Sequence, residues 1–200
     1  MLRIELLNSP HPFAANTYLL TCGDEVAIID PTTPYDPCLV RGKVKYILLT
    51  HAHFDHILEI DSWVENTSAV VIATEECKKS LSDPMRNCYK LYNGSDKGYF
   101  GTAQIVRDGE QLQFGDKTIQ VMQTPGHTAG SAVFIIDNAA FVGDTVFENG
   151  NYGRYDLPTG SFVMLRDSIN KIMRLNPDLV LYPGHGGHTT LKQFIKYFRG

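Results

Sequence analysis

Three histidines and an aspartate fall within six residues of one another in the segment THAHFDH, residues 50–56. The segment follows an apolar run that predicts a β-strand. Side chains two residues apart in an extended chain point the same way, so His51 and His53 can present their imidazoles to one cation. If the chain then turns towards a helix, Asp55 and His56 project to a neighbouring point. Imidazoles and a carboxylate suit zinc, iron or manganese, so the cluster predicts a metal site.

Four such residues cannot complete two metal sites, so further ligands are expected at other strand ends. Two Pro-Gly-His triplets, which end at His127 and His185, and a Gly-Asp-Thr triplet that contains Asp144 each follow a predicted strand. In each triplet a glycine lets the backbone turn sharply beside a potential metal ligand. One such triplet alone is typical of an ordinary turn, but the set favours ligands. Asp144 is the best-placed carboxylate to bridge two cations.

Short strands in both halves of the chain must position these residues. Apolar runs bounded by turn residues predict strands over residues 2–7, 17–22, 26–30, 46–50, 69–73, 111–114, 118–123, 131–136, 139–142 and 179–182. Helices are predicted over residues 57–66, 75–81, 85–92, 162–175 and 191–198. Two β-rich halves that each end in helices predict two packed sheets with helices outside. Since no linker divides the chain, we expect residues 1–200 to form a single domain.

Composition and charge exclude several classes of protein. With 43% hydrophobic and 20% charged residues, the chain is an ordinary globular sequence rather than a disordered, collagen-like or coiled-coil one. The net charge of −4 gives no general attraction for nucleic acid or anionic lipid, so neither is an expected partner. No apolar run approaches a membrane span or a signal peptide. Four cysteines without a CxxC pair predict reduced thiols in a cytoplasmic protein.

Taken together, the motifs resemble a known family. THAHFDH, TPGHTAGS, GDT and PGHG, in this order, are similar to motifs of the metallo-β-lactamase superfamily. The segment GDTVFENGNYGRYDLPTG, residues 143–160, most resembles the glyoxalase II branch, in particular its short bacterial and archaeal members. The resemblance extends from about residue 16 to about residue 190.

This resemblance implies a fold and a set of site residues. The fold would be a four-layer α/β sandwich (αββα), with two mixed sheets inside and helices outside. By motif position, a first metal ion would be held by His51, His53 and His127. A second would be held by Asp55, His56 and His185. Asp144 would bridge the two ions, Asp55 and Asp144 would be the catalytic residues, and Asp30 would support a ligand from behind or simply end a strand.

The resemblance also implies an activity. A dinuclear hydrolase, with zinc as the expected metal and iron or manganese as alternatives, would cleave thioesters such as hydroxyacylglutathione by attack of metal-bound hydroxide. Its substrate would be a small molecule. The alternatives are a mononuclear iron persulfide dioxygenase, which is an oxidoreductase, and a lactonase or other ester hydrolase. The motifs identify neither the physiological substrate nor the oligomeric state, and they leave the metal identity and the filling of both sites open.

Some residues depart from the glyoxalase II pattern or have no role in it. The C-terminal helical region that helps full glyoxalase II enzymes bind glutathione is expected to be missing. Arg154 matches a basic residue near the glutathione and is expected to bind substrate, a solvated surface arginine being the alternative. Residues 75–100 are expected to cover the mouth of the site, with aromatic residues that line either the pocket or the core: Tyr89, Tyr92, Tyr99 and Phe100. His188 is expected at the rim or surface, and His11 in a loop.

Overall fold

The computed structural model describes residues 1–198, and two six-stranded sheets form their centre. The first sheet has its strands in chain order: β1 (Leu2–Leu7), β2 (Thr17–Cys22), β3 (Glu25–Ile29), β4 (Lys43–Leu48), β5 (Val70–Ala73) and β6 (Gln104–Ile105). Its first three strands are antiparallel, and the pairs from β3 to β6 are parallel. This sheet is therefore mixed.

The second sheet also has its strands in chain order from one edge to the other. Its strands are β7 (Gln111–Phe114), β8 (Lys117–Gln123), β9 (Ala132–Ile136), β10 (Ala139–Gly143), β11 (Val180–Pro183) and β12 (Thr189–Thr190). All its pairs are antiparallel except β10 with β11. The register between those two strands shifts between Phe141 and Gly143, immediately before Asp144. Such bulges often redirect a side chain at the end of a strand.

Five α-helices cover the outer faces of the sheets. They are α1 (Ile60–Asn66), α2 (Glu75–Leu81), α3 (Tyr89–Asn93), α4 (Phe162–Ile172) and α5 (Leu191–Phe198). Buried Trp63 packs with the outer face of the first sheet, while Leu165 and Phe194 pack on the outer face of the second. Between the sheets lies a third apolar cluster that includes Leu20, Phe114 and Phe134. The predicted four-layer αββα sandwich is confirmed.

The ends of several elements differ from the sequence prediction. The helix predicted over residues 57–66 begins only at Ile60, as α1, and a separate 3-10 turn, Phe54–His56, precedes it. The helix predicted over 85–92 begins at Tyr89, because Cys88 has a left-handed backbone with φ of +66°. Strands β6 and β12 were not predicted, since two residues are too short for a periodic pattern.

Four strands end at the same edge of the sandwich. These are β4, β8, β10 and β11, and the loops that follow them contain the histidine and aspartate motifs. Long-range backbone hydrogen bonds join these loops. Gly184 N donates to Gly143 O at 2.9 Å, and Ala132 N donates to Thr50 O at 2.8 Å. No helix among the described residues has the length and apolar character needed to cross a lipid bilayer.

Candidate metal centre

The structure brings all seven predicted ligands together. Their ligand atoms form three overlapping groups, within each of which they lie no more than 4.8 Å apart: His51, His53 and His127; His51, His56 and Asp144; and Asp55, His56 and His185. We call the first group the His127 half-site and the third the His185 half-site. Both correspond to the two ligand sets that the motifs imply.

The His127 half-site is a tight cluster of imidazole nitrogens. His127 Nε2 lies 3.2 Å from His51 Nε2 and 3.0 Å from His53 Nδ1. All three side chains are buried. A hydrogen bond between imidazoles would join only two of these nitrogens. Three nitrogens at such distances therefore suit the binding of one shared cation.

Asp144 lies between the two half-sites. Its Oδ1 is 3.3 Å from His56 Nε2, and its Oδ2 is 3.7 Å from both His127 Nε2 and His185 Nε2. In the His185 half-site, His185 Nε2 lies 3.1 Å from Asp55 Oδ2. The carboxylate of Asp144 therefore approaches ligands of both half-sites, as expected of a bridge.

A test of whether a cation fits comes from polar atoms without partners. His56 Nε2 and Asp144 Oδ1 are buried and lie 3.3 Å apart, but neither makes a hydrogen bond of good geometry to any described residue. Buried polar atoms are usually hydrogen-bonded, and an unsatisfied one carries a free-energy penalty of about 1–3 kcal/mol. A divalent cation would satisfy both atoms, so the donor set fits a metal centre.

Hydrogen bonds on the outer side orient two of the imidazoles through Asp30. His56 Nδ1 donates to Asp30 Oδ2 at 2.8 Å, and the hydroxyl of Thr50 donates to the same oxygen at 2.5 Å. His51 Nδ1 lies 3.2 Å from Thr50 Oγ1 and can donate to it. These contacts place the protons on the Nδ1 atoms, so the Nε2 atoms of both histidines are free to accept a cation. Asp30 thus has the supporting position that the resemblance implied.

His127 is oriented by a main-chain group. Its Nδ1 donates to the backbone oxygen of Arg154 at 2.7 Å, which again leaves Nε2 facing the centre. This contact joins two loops 27 residues apart and was missed from sequence. No pattern could have indicated it, because any residue type supplies a backbone carbonyl.

Burial and mutual charge set the protonation of the cluster. Burial lowers the pKa of three imidazoles, that of His53 to about 3: His51, His53 and His127. Burial also disfavours a charge on His56, but Asp144 and Asp30 outweigh it and raise its pKa. Burial would raise the pKa of Asp144, yet His56, His127 and His185 together outweigh burial and lower it. Neutral imidazoles and ionised carboxylates are the forms that bind metal ions, so His51, His53, His127 and Asp144 favour the binding form, whereas His56 would release a proton when a cation binds.

The glycines of the motifs have two different physical roles. Gly126 and Gly143 have φ of +142° and +49°, which supports the predicted sharp turns. Gly184 does not lie in the left-handed region, and its role is space. A Cβ atom there would lie 2.2 Å from Asp144 Oδ1 and 2.5 Å from His56 Cε1. The lack of a side chain lets the backbone pass directly behind both groups.

A cavity of about 680 Å³ opens above the cluster. His53, Asp55, His127, Asp144 and His185 contribute to its lining, and its walls are mostly apolar: Pro12, Phe13, Ala14, Phe54, Cys88, Tyr92, Phe147 and Leu157. A largely apolar pocket with a few polar groups at one end is the common form of a small-molecule site.

Arg154 lies at the wall of this cavity and is half exposed. Asp156 holds its guanidinium through two hydrogen bonds of 2.8 Å, and its Nη1 lies 3.3 Å from the hydroxyl of Tyr92. The contact links the loop after β10 with α3 across the cavity. Arg154 is therefore positioned to meet a ligand that enters the cavity.

The remaining sequence predictions have mixed outcomes. Of the four aromatic residues in segment 75–100, Tyr92 lines the cavity, Tyr89 and Tyr99 are buried, and Phe100 is exposed elsewhere. His188 is exposed and stacks on Tyr182, as expected of a surface residue. His11 lies in a loop and pairs with Glu59 at 2.6 Å, away from the metal centre.

Comparison with known proteins agrees with this geometry. The sequence profile described as "Metallo-beta-lactamase superfamily" matches residues 11–185. A probable metallo-hydrolase of Methanocaldococcus jannaschii is 34% identical over 87% of this chain and 88% of its own length. A hydroxyacylglutathione hydrolase of Haemophilus influenzae is 29% identical over 84% of this chain and 82% of its own.

Solved structures extend the similarity to the whole fold. The BLEG-1 B3 metallo-beta-lactamase superposes with a TM-score of 0.89 at 29% identity, over 99% of this chain and 100% of its own. TTHA1623, which was crystallised in a di-iron-bound form, superposes with a TM-score of 0.81 at 27% identity, over 95% of this chain and 96% of its own.

Proposed function

The chain belongs to the metallo-β-lactamase superfamily, and we propose that it is a dinuclear metal-dependent hydrolase of thioesters such as hydroxyacylglutathione. One observation carries the proposal. Asp144 approaches ligand atoms of two half-sites at once, and its buried Oδ1 has no hydrogen-bond partner among residues 1–198. A single cation would occupy only one of the two half-sites, so this arrangement favours two cations.

We assign the ligands as the motifs imply. The His127 half-site would hold one cation, the His185 half-site would hold the other, and Asp144 would contact both. Two bound divalent cations would polarise a carbonyl oxygen and lower the pKa of water towards about 7. The imidazole and carboxylate set accepts zinc, iron or manganese, and zinc is our first choice.

The residues around the cations would bind and orient the substrate. The apolar walls formed by Phe54, Tyr92 and Phe147 would exclude water from the acyl group, which strengthens electrostatic interactions at the reacting bond. Arg154 would contact a carboxylate of the substrate through Nη1, since Asp156 already holds the other side of its guanidinium. Asp30 would keep the imidazole of His56 fixed while charge develops.

Two arguments favour a thioester as substrate. A thiol leaving group has an ordinary pKa of about 8.5, so it departs without a strong general acid. In addition, the relative from Haemophilus influenzae bears the name hydroxyacylglutathione hydrolase. Hydrolysis would consume one water and release a carboxylate and a thiol.

The test is a hydrolysis panel with metal analysis. Protein stripped with a chelator and reloaded with zinc, iron or manganese is assayed on lactoylglutathione, a simple lactone and a chromogenic β-lactam. We expect two metal ions per chain and the highest kcat/KM on the thioester. Asp55→Asn should lower kcat/KM by about 100-fold or more, because even indirect partners of a metal contribute 10- to 100-fold. Asp178→Asn, at an exposed aspartate, is the matched control and should change kcat/KM less than twofold.

The panel also addresses the alternatives. Preferred cleavage of the lactone would replace the thioester assignment with that of a lactonase. A protein that binds one iron and consumes oxygen with glutathione persulfide would overturn the hydrolase proposal in favour of a dioxygenase. Wild-type protein that keeps its activity after treatment with the chelator would overturn both the metal-dependent hydrolase and the dioxygenase.

A further inference from the structure

The sequence of the loop that contains His185 does little to fix the conformation of the loop. Glycines lie on both sides of the histidine, at positions 184, 186 and 187, and Gly186 has φ of +80°. The His185 side chain is 40% exposed, the largest exposed fraction among the seven ligands. Neither packing nor backbone preference therefore fixes this ligand, since glycine is the most permissive residue.

The side chain of Asn16 spans this loop from the other sheet. Its Nδ2 lies 2.9 Å from Gly186 O and 3.0 Å from Pro183 O, so it can donate one proton to each carbonyl. Its backbone N–H also donates to Gly184 O at 2.6 Å. The three carbonyls lie before and after His185 in the chain. Asn16 thus holds the loop on both sides of the ligand.

The residue before Asn16 holds the partner of His185. Ala15 N donates to Asp55 O at 2.9 Å, so two consecutive residues connect the loop of Asp55 with the loop of His185. Tyr18 adds a further contact, because its buried hydroxyl donates to Pro183 O at 2.7 Å. Every side-chain hydrogen bond of Asn16 within residues 1–198 goes to Tyr18 or to this loop, and none goes to the His127 half-site.

We propose that Asn16 is a positioning residue for the His185 half-site alone. This inference rests on the proposed function only in requiring that both half-sites bind cations. Removal of the Asn16 amide would release the glycine-rich loop and move His185 away from Asp55. The affinity for the second cation would fall, while the His127 half-site would keep its cation.

The experiment measures the two zinc affinities separately. Metal-free wild type, Asn16→Ala and Asn16→Asp are titrated with zinc against a chromophoric chelator. We expect the weaker zinc dissociation constant to rise about 10- to 100-fold in Asn16→Ala, the range typical of lost support behind a ligand. The tighter constant should change less than threefold. Asn16→Asp should weaken the second zinc at least as much, because a carboxylate would face two carbonyl oxygens.

Three controls separate positioning from general stability. Asn138→Ala removes a similar bond, from Asn138 Nδ2 to Asp178 O at 3.0 Å, far from the centre, and should leave both affinities unchanged. Tyr18→Phe removes one of two donors to Pro183 O and should weaken the second zinc less than Asn16→Ala does. Thermal melting of each metal-free variant shows whether it is folded. With one equivalent of cobalt, Asn16→Ala should show the same visible absorption as the wild type. With two equivalents, its visible absorption should be weaker than that of the wild type.

The outcomes distinguish this inference from the proposed function. Two zinc ions in wild type with equal affinities in a folded Asn16→Ala would overturn the role of Asn16 and leave the function intact. Equal loss of both ions in a folded Asn16→Ala would also overturn it, since the effect would not be confined to the His185 half-site. A wild type that binds fewer than two zinc ions would overturn the proposed dinuclear function and this inference together.

Discussion

Replacement of Gly184 with alanine should disable the metal centre while the protein remains folded. The added Cβ would lie 2.2 Å from Asp144 Oδ1 and 2.5 Å from His56 Cε1, whereas ordinary van der Waals contact begins at 3.4 Å. Something must therefore move by about 1 Å. His56 is fixed by Asp30, and the backbone of Gly184 is fixed by bonds to Asn16 and Gly143, so the carboxylate of Asp144 should move.

The size of the effect follows from this displacement. Metal–ligand distances tolerate deviations of about 0.2 Å, so a carboxylate displaced by about 1 Å can no longer contact both cations. A misplacement of 1 Å in a reacting group can lower the rate by about 100-fold. We therefore expect Gly184→Ala to lose at least one metal ion per chain and to lower kcat/KM by 100-fold or more, which is about 2.7 kcal/mol in activation free energy.

The assay combines three measurements on one preparation. Metal per chain is counted after dialysis, kcat/KM is measured on lactoylglutathione, and thermal melting is followed by circular dichroism. Gly23→Ala is the matched control, because Gly23 has φ of +61° but no atom within 4 Å of an added Cβ. It should reduce stability by about 1–2 kcal/mol through backbone strain and leave metal content unchanged. Two metal ions and an unchanged kcat/KM in Gly184→Ala would refute the proposed arrangement around Asp144.

Three further predictions address individual side chains. Asp144→Ala should remove metal from at least one half-site, because it deletes the group between them; full metal content with unchanged turnover would contradict the assignment. His188→Ala should leave metal content intact because His188 is exposed and belongs to none of the three groups of ligand atoms among the described residues; a drop to half would show that it is a ligand. Asp30→Ala should lower the free energy of unfolding by about 3 kcal/mol, measured by denaturant titration of metal-free protein, since it leaves buried donors of Thr50 and His56 unpaired. A decrease of less than 1 kcal/mol in the free energy of unfolding would mean that other groups accept hydrogen bonds from these donors.

The strands and most helices could be predicted from the sequence because their patterns are local. Five elements have the predicted bounds without change: Leu2–Leu7, Thr17–Cys22, Glu75–Leu81, Gln111–Phe114 and Leu191–Phe198. Each combines an apolar pattern of the correct period with turn or capping residues at its ends, such as Thr74, whose hydroxyl accepts from Cys77 N. Where the prediction failed, as at Cys88, a buried non-glycine residue adopts a left-handed conformation that its type does not indicate.

The candidate ligands could also be found in the sequence, because metal ligands must be a few chemical types and four of them lie in one short segment. What brings them together around Asp144, in the two half-sites that the motifs imply, is visible only in the fold, since it depends on four strand ends from two sheets meeting at one edge. The same is true of the backbone oxygen of Arg154 behind His127 and of Asn16 behind His185, which act across 27 residues and about 170 residues respectively. Residue type determined which atoms are able to bind a metal ion; the packing of the two sheets decided which of those atoms meet and what holds them in place.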